Sequence, residues 1–297
     1  TTSGNGSGNH KLEGVINIPL IEDQLAVRIV GYTHENSGFI NNTAASDPTS
    51  SAAAISFGAE NLAVDRDGVG GDEVDGGRIT VLWRPTDSVN ATLMHLKQDL
   101  LQDGMNEVEV DLDTFDQTRL QLGNIIGGGE RLIGNIEVTN LEFEIDLGWA
   151  SLLSSSSWME GESDRIRDLG IFFGDAPIPQ ANLFDTEAFV EELRLTSSLD
   201  GPLQFIAGYF YSDSEVIDKI DIFWGGDDAD DNFLDVGNFV LLDGVDTSVV
   251  EQSAFFGEVS YAFNNELTLT VGARIFDYET EDGSLWQPGY FTGGGLV

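Results

Sequence analysis

The chain has 297 residues, a formal net charge of −39 and no cysteine. This charge repels nucleic acid, and the lack of cysteine excludes disulfide frameworks, zinc–thiolate sites and cysteine catalysis. No apolar run reaches the roughly 18 residues that a transmembrane helix needs. Glycine is abundant, with 35 residues, and proline is scarce, with 7, so the composition predicts an all-β protein.

Period-two alternation of apolar and polar residues predicts five β-hairpins, each with a short turn. In chain order these turns are Ile21–Asp23, Arg84–Ser88, Asp146–Gly148, Leu199–Pro202 and Asn264–Glu266. The clearest hairpin joins Ser253–Phe263 to Leu267–Asp277. Strands of about 9–11 residues have the length that crosses a bilayer when tilted.

Between the hairpins lie long connections rich in Asp, Gly, Ser and Asn: His34–Gly76, Gln98–Gly134, Met159–Thr186 and Ser212–Glu251. Short and long connections therefore alternate strictly along the chain. Outer-membrane barrels show this asymmetry, with short periplasmic turns and long external loops. The pattern predicts that residues 1–297 form one domain, an antiparallel transmembrane β-barrel with about ten strands.

The alternation also predicts which side chains face lipid. Leu25, Val27 and Ile29 form an apolar stripe, and Arg28 points to the opposite, polar lumen. Other charged residues predicted for the lumen are Glu142, Glu144, Glu192, Arg194, Glu258 and Arg274. Aromatic residues predicted near strand ends, as in interfacial girdles, are Trp83, Trp149, Tyr209, Tyr211 and Phe263.

Four segments resemble TonB-dependent outer-membrane receptors. They are Val15–Asn42, with "NIPLIEDQLAVR", Gly76–Leu93, with "WRPTDS", Glu192–Tyr211, and Ser253–Glu279. The last two are the most specific matches. The resemblance implies a barrel of about 22 strands around an N-terminal plug. It further implies active uptake of a ligand, energised by the TonB complex of the inner membrane.

The resemblance implies three partners: the TonB complex, outer-membrane lipid and the transported ligand. The implied location is the cell outer membrane of a Gram-negative bacterium. The sequence shows no plug domain and no TonB box, and ten strands are fewer than half of the implied number. The expectation is therefore a partial barrel, an internal fragment that holds the N-terminal part of the barrel, and a self-contained barrel of ten strands is the alternative. The identity of the ligand and its binding residues are not predicted.

Enzyme chemistry is not expected. His10, His34 and His95 lie on three separate segments without metal-binding spacing, and no G-x-S-x-G motif occurs. Paired carboxylates are so numerous that an all-β carbohydrate-active enzyme remains a weaker hypothesis.

Two acidic segments could bind calcium, because carboxylates on glycine-rich loops are ligands that calcium prefers. The first, Asp65–Gly77, supplies the candidates Asp65, Asp67, Asp72 and Asp75, and the second is Gly225–Asp235. The first lacks the spacing of an EF-hand, so a solvated acidic loop is the favoured interpretation. The alternative function is a soluble acidic β-rich surface or adhesion module that binds calcium. No other cofactor is expected.

Overall fold

A computed structural model describes residues 7–58, 64–105, 109–110, 117–119, 130–170, 176–224 and 239–291. Ten strands form the main sheet: β1 (His10–Ile21), β2 (Leu25–Asn36), β5 (Gly71–Thr86), β6 (Val89–Asp103), β9 (Arg131–Asp146), β10 (Ala150–Asp168), β11 (Pro179–Ser197), β12 (Leu203–Phe223), β13 (Phe239–Ala262) and β14 (Thr268–Phe291). The smaller elements are β3 (Ile40–Thr43), α1 (Pro48–Ser56), β4 (Asp65–Val69), β7 (Glu109–Val110) and β8 (Gln117–Arg119).

The main sheet is a meander. Its ten strands lie in the order β1-β2-β5-β6-β9-β10-β11-β12-β13-β14, and every neighbouring pair is antiparallel. Within the described residues β1 and β14 are the two edges and do not pair with each other. The all-β, antiparallel, partial-barrel prediction is therefore confirmed, and the sheet is not closed.

All five predicted hairpins are present, and their turns have the expected local chemistry. The first turn places Asp23 at φ 58°, and the backbone N–H of Gln24 donates to the carbonyl of Ile21 at 3.1 Å. In the last turn the Asn264 side-chain oxygen accepts from the backbone N–H of Glu266 and Leu267. Such side-chain mimicry of a turn is the reason that Asn and Asp are common there.

The bounds predicted for the long connections were wrong, because the strands continue far into them. Residues 159–168 and 179–186, predicted as loop, belong to β10 and β11 and pair in unbroken register from Ala150–Ser197 to Asp168–Pro179. The main-sheet strands reach 24 residues in β13 and β14. Backbone hydrogen bonds between two strands continue through polar residues wherever the neighbouring strand continues alongside.

Local structure also occurs within the long connections. The hairpin β3–β4 and the helix α1 lie between β2 and β5. Asp47 caps α1 by accepting from the backbone N–H of Thr49 at 3.0 Å and of Ser50 at 2.8 Å, and Pro48 begins the helix. Across the described ranges, no helix has both the length and the apolarity to cross a membrane.

Candidate functional surfaces of the sheet

The strand registers sort the side chains of the sheet onto two faces, because directly opposed residues of antiparallel strands point the same way. We call one of them the apolar face. Near the short turns it carries a band, the apolar band, of Ile16, Ile18, Leu25, Val27, Ile29, Ile79, Val81, Trp83, Leu93, Leu141, Phe143, Ile145, Leu152, Leu193, Leu195, Leu203, Phe205, Tyr209, Phe255, Val259, Tyr261, Leu269, Val271 and Ile275.

The apolar band is exposed instead of being covered by a second layer. Even on interior strands, Trp83 is 49 % exposed, Leu93 44 % and Phe255 68 %. On β12 the band runs from Leu203 to Tyr211, which is about 26 Å along the strand. On strands tilted by about 40°, this length corresponds to a height of about 20 Å, which is close to the roughly 25 Å of the lipid-facing band of outer-membrane barrels.

Aromatic side chains mark both limits of the apolar band. Trp149 lies at the turn end and approaches Phe205 with ring centroids 6.5 Å apart. The predicted positions of Tyr209 and Tyr211 at a strand end were wrong, because β12 continues to Phe223. Tyr211 nevertheless lies at the upper limit of the apolar band, where the residues of the same face change from apolar to acidic.

The opposite side of the sheet, the polar face, carries the charged residues that were predicted for the lumen. It holds all seven of them: Arg28, Glu142, Glu144, Glu192, Arg194, Glu258 and Arg274. The same face also holds three arginines that were not predicted: Arg78, Arg165 and Arg167. The assignment of Leu25, Val27 and Ile29 to one face and Arg28 to the other is confirmed by their register with β5.

Contacts on the polar face occur within one strand, between neighbouring strands and across an intervening strand. The guanidinium of Arg274 lies 5.3 Å from the centre of the Phe210 ring, and Arg194 lies 3.3 Å from the Glu192 carboxylate. The Asn140 amide donates to the hydroxyls of Ser155 at 3.1 Å and Ser157 at 2.9 Å. This face therefore offers hydrogen-bonding groups and charges of both signs.

Above the apolar band, the apolar face becomes acidic. Glu137, Glu160, Glu187 and Glu215 lie directly opposite one another on β9 to β12, and we call this row the acidic belt. At one end, Lys97 donates to Glu137 at 2.5 Å. The belt was not predicted, since it becomes visible only when the registers of separate hairpins are aligned.

At the loop end of β2, β5, β6 and β9 there is a cleft of about 600 Å³. Its lining includes Glu35, Asn36, Asp67, Asp72, Glu73, Asp103 and Arg131. Arg66 on β4 forms an ion pair with Asp103, which fixes the β3–β4 hairpin over the end of β6.

The calcium candidates are partly engaged in hydrogen bonds. Asp65 accepts from the backbone N–H of Ala45 and Ser46, and Asp72 accepts from the Asn36 amide. Asp67 and Asp72 line the cleft. Among the described residues, no three His, Asp or Glu side chains are grouped to hold a metal ion. Calcium binding stays a prediction, and the second acidic segment, Gly225–Asp235, lies outside the described residues.

The three histidines do not form a common site. His10 lies 3.5 Å from Glu35, and the His95 ring nitrogen Nδ1 lies 2.9 Å from the Thr139 hydroxyl. His34 and His95 belong to opposite faces of the sheet.

No protein-family model matches the chain, and no curated protein matches its sequence. Its structure is similar to solved uptake receptors. The ferric yersiniabactin uptake receptor of Yersinia pestis aligns with a TM-score of 0.67 at 10 % identity, over 95 % of this chain and 41 % of the receptor. The ferripyoverdine receptor of the outer membrane of Pseudomonas aeruginosa aligns with a TM-score of 0.63 at 14 % identity, over 96 % of this chain and 38 % of the receptor. A siderophore receptor of Acinetobacter baumannii aligns with a TM-score of 0.52 at 12 % identity, over 97 % of this chain and 46 % of the receptor.

The chain therefore spans about two fifths of the length of these receptors. At such low identity the similarity concerns the fold alone. It confirms, at that level, the resemblance that the sequence motifs indicated. The ten-stranded sheet has the fold of part of a siderophore-receptor β-barrel.

Proposed function

We propose that this chain forms part of the barrel wall of a TonB-dependent receptor in the outer membrane of a Gram-negative bacterium. The observation that carries the proposal is the exposed apolar band, which crosses all ten strands at one distance from the short turns. The opposite face holds the arginines and the other polar groups of the same strands. A soluble protein rarely exposes an apolar surface of this extent, whereas a barrel wall places it against lipid.

In this function the two faces have different tasks. The apolar band contacts the acyl chains of the membrane lipid, and the short turns lie in the periplasm. The polar face lines the lumen, where Arg194, Arg274 and the hydroxyls beside Asn140 contact the passing ligand or the other contents of the barrel. The long connections lie outside the cell and capture the ligand before uptake, which the TonB complex energises.

Single-cysteine labelling tests this arrangement, and the chain is well suited because it has no cysteine of its own. Val259 and Ser260 are consecutive on β13, and Val259 belongs to the apolar band. In intact outer membranes, Val259→Cys should react with an apolar maleimide and resist a charged one. Ser260→Cys should show the opposite selectivity. Equal reactivity of the two cysteines with the charged reagent would contradict a lipid-facing band.

The uptake activity needs a separate test. We expect cells that lack the gene to grow poorly when one scarce nutrient is supplied only in a large form, such as a ferric chelate, cobalamin, a glycan or a peptide. Cells that lack the TonB complex should show the same defect, and the double deletion should be no worse than either single one. If removal of the TonB complex restored growth to cells that lack the gene, energised uptake would be refuted.

A further inference from the structure

The cleft of about 600 Å³ at the loop end of β2, β5, β6 and β9 contains an arginine without a partner. Arg131, at the start of β9, lines the cleft and is half-buried, and its Nε atom is fully buried. Among the described residues, its guanidinium has no hydrogen-bond acceptor and no ion pair. Asp103 is directly opposed on β6, but its carboxylate pairs with Arg66. Because charged groups that are removed from water are almost always paired, Arg131 indicates an anion that the described part of the chain does not supply.

Carboxylates without a cation line another side of the same cleft. The carboxylates of Glu73 on β5 and Asp67 on β4 have no hydrogen-bond or ion-pair partner within the ranges that the structure describes. Asp72, by contrast, accepts from the Asn36 amide. The cleft therefore carries unpaired charges of both signs.

The strand registers show how these charges are separated. Glu73 is directly opposed to Leu101, and Leu101 is opposed to Ile133 on β9. Arg131 lies two strands from Glu73, about 10 Å across the sheet, and two residues nearer the loop end, about 7 Å along the strand. Leu101 is 42 % exposed and forms an apolar floor between them. A ligand that neutralises both sides must carry opposite charges several ångströms apart.

A further wall of the cleft consists of bare backbone. Gly38, Gly68 and Gly71 line it where the β3–β4 hairpin meets β2 and β5. A Cβ atom at Gly38 would overlap the carbonyl oxygen of Gly68, and one at Gly71 would lie 2.8 Å from the backbone nitrogen of Gly38. Main-chain N–H and C=O groups along such a wall suit a ligand that has amide groups of its own.

We propose that this cleft binds the zwitterionic main chain of a short peptide. The terminal carboxylate pairs with the guanidinium of Arg131, which presents its donors in a planar fork. The terminal ammonium group lies between Glu73 and Asp67, and a side chain of the peptide rests on Leu101. An extended tripeptide places its charged ends about 10 Å apart, which suits the separation of the two sides. This inference goes beyond the barrel-wall function and does not depend on the direction of any transport.

Isothermal titration calorimetry tests the cleft, with the protein folded in detergent, EDTA in the buffer and trialanine as the probe. We expect trialanine to bind, and its C-terminal amide and its N-acetyl derivative each to bind about tenfold more weakly, because each lacks one charge-assisted contact. Arg131→Gln should abolish the discrimination against the amide and keep the discrimination against the N-acetyl derivative. The double variant Glu73→Gln, Asp67→Asn should do the converse.

Arg78→Gln and Glu215→Gln are the matched controls, because both residues lie on strands of the main sheet and neither lines the cleft. Both variants should bind the three probes as the unaltered protein does. Since Arg131 has no partner to lose, Arg131→Gln should also keep the urea midpoint of the unaltered protein. A lower midpoint would show that Arg131 has a structural role and would overturn the proposal.

The binding data can overturn the peptide site in two further ways. One is that the unaltered protein does not bind trialanine. The other is that it binds the amide as tightly as trialanine, which would indicate a site for simple amines. Neither result affects the barrel-wall function, which the cysteine labelling tests separately.

Discussion

The ring of Phe256 covers Gly208 on the neighbouring strand. A Cβ atom at Gly208 would lie 2.3 Å from Cζ of Phe256, which is closer than real side-chain contacts allow. The same relationship joins Tyr32 to Gly76 at 2.5 Å and Trp286 to Gly244 at 2.7 Å. All three pairs are directly opposed and lie on the polar face. Glycine lets the ring lie flat against the sheet, an arrangement known to favour strand pairing and curvature.

The first prediction concerns this contact. Gly208→Ala should destabilise the folded sheet by about 1–3 kcal/mol, because the ring or the strand must move to admit the methyl group. The measurement is the urea midpoint of the protein folded in detergent. Gly14→Ala on β1 is the control, since nothing lies within 4 Å of its added Cβ. Equal midpoints for the two variants would contradict the covering role of Phe256.

The second prediction concerns the two faces of β14. Val271→Arg should block assembly in the membrane, because an arginine toward the middle of a lipid-facing band costs roughly 2–4 kcal/mol, and Leu269→Arg, nearer the turn, should reduce assembly less. Thr270→Arg should be tolerated, since Thr270 lies on the polar face and its hydroxyl is 2.8 Å from that of Ser260. The yield of folded protein in outer membranes measures the effect, and equal yields for all three would show that the faces are misassigned.

The third prediction concerns topology. A protease added to intact cells should cut between β2 and β5, within residues 41–70, and spare the turns Arg84–Ser88 and Leu199–Pro202. The long and short connections lie at opposite ends of the strands, so only one set faces the outside. Mass spectrometry of the fragments identifies the sites. Cleavage at the short turns before permeabilisation would show that the orientation is inverted.

The fourth prediction concerns Asp221, which lies beyond the apolar band toward the loop end of β12. Partial burial raises the pKa of its carboxyl, and the opposed Asp243 raises it further. The pKa of Asp221 is therefore higher in the folded state than in the unfolded state. Below the ordinary pKa both states are protonated, and the carboxyl does not oppose folding. As pH rises through the raised pKa of the folded state, this advantage is lost. Neutral pH is therefore the less favourable condition for this pair.

Asp221→Asn should accordingly slow hydrogen–deuterium exchange at the loop ends of β12 and β13 at about pH 7. The difference from the unaltered protein should narrow as pH falls toward the ordinary value of 3.8. Asp200→Asn, in the turn at the far end of β12, should leave that exchange unchanged. A difference that grows on acidification would have the wrong sign and would refute the argument.

The fifth prediction concerns the edges β1 and β14. An open edge presents unpaired backbone groups that can pair with another copy, and in water the apolar band is exposed as well. The 297-residue chain alone should therefore not remain a monomer in the absence of detergent. Light scattering after chromatography measures its mass. A monomer that melts cooperatively in plain buffer would favour the soluble, calcium-binding alternative.

The hairpins could be predicted because their signals are local. Alternation fixes the face of each residue, and Asp or Asn at the turn, such as Asp23 and Asn264, satisfies nearby backbone groups. Strand length could not be predicted, because the polar residues 159–168 extend β10 only where β9 and β11 continue beside them. Helix α1 was also missed, although Asp47 and Pro48 carry its start signals.

The acidic belt lay beyond prediction for a different reason. Glu160 and Glu187 are neighbours only because β10 and β11 pair without a bulge over their whole length. A shift of one residue in that pairing would move the two carboxylates to opposite faces. Register across a long connection is set by the assembled sheet, and no single segment contains it.

The five hairpins also bear on how such a wall can change during evolution. Each hairpin leaves the loop-end rim, turns near the other rim and returns, so the chain comes back to its starting side after every pair of strands. Gain or loss of one whole hairpin therefore keeps every later connection on its original side. Gain or loss of a single strand would move every later connection to the opposite end of the strands. The pair of strands is thus the smallest unit by which this architecture can lengthen or shorten while keeping its orientation.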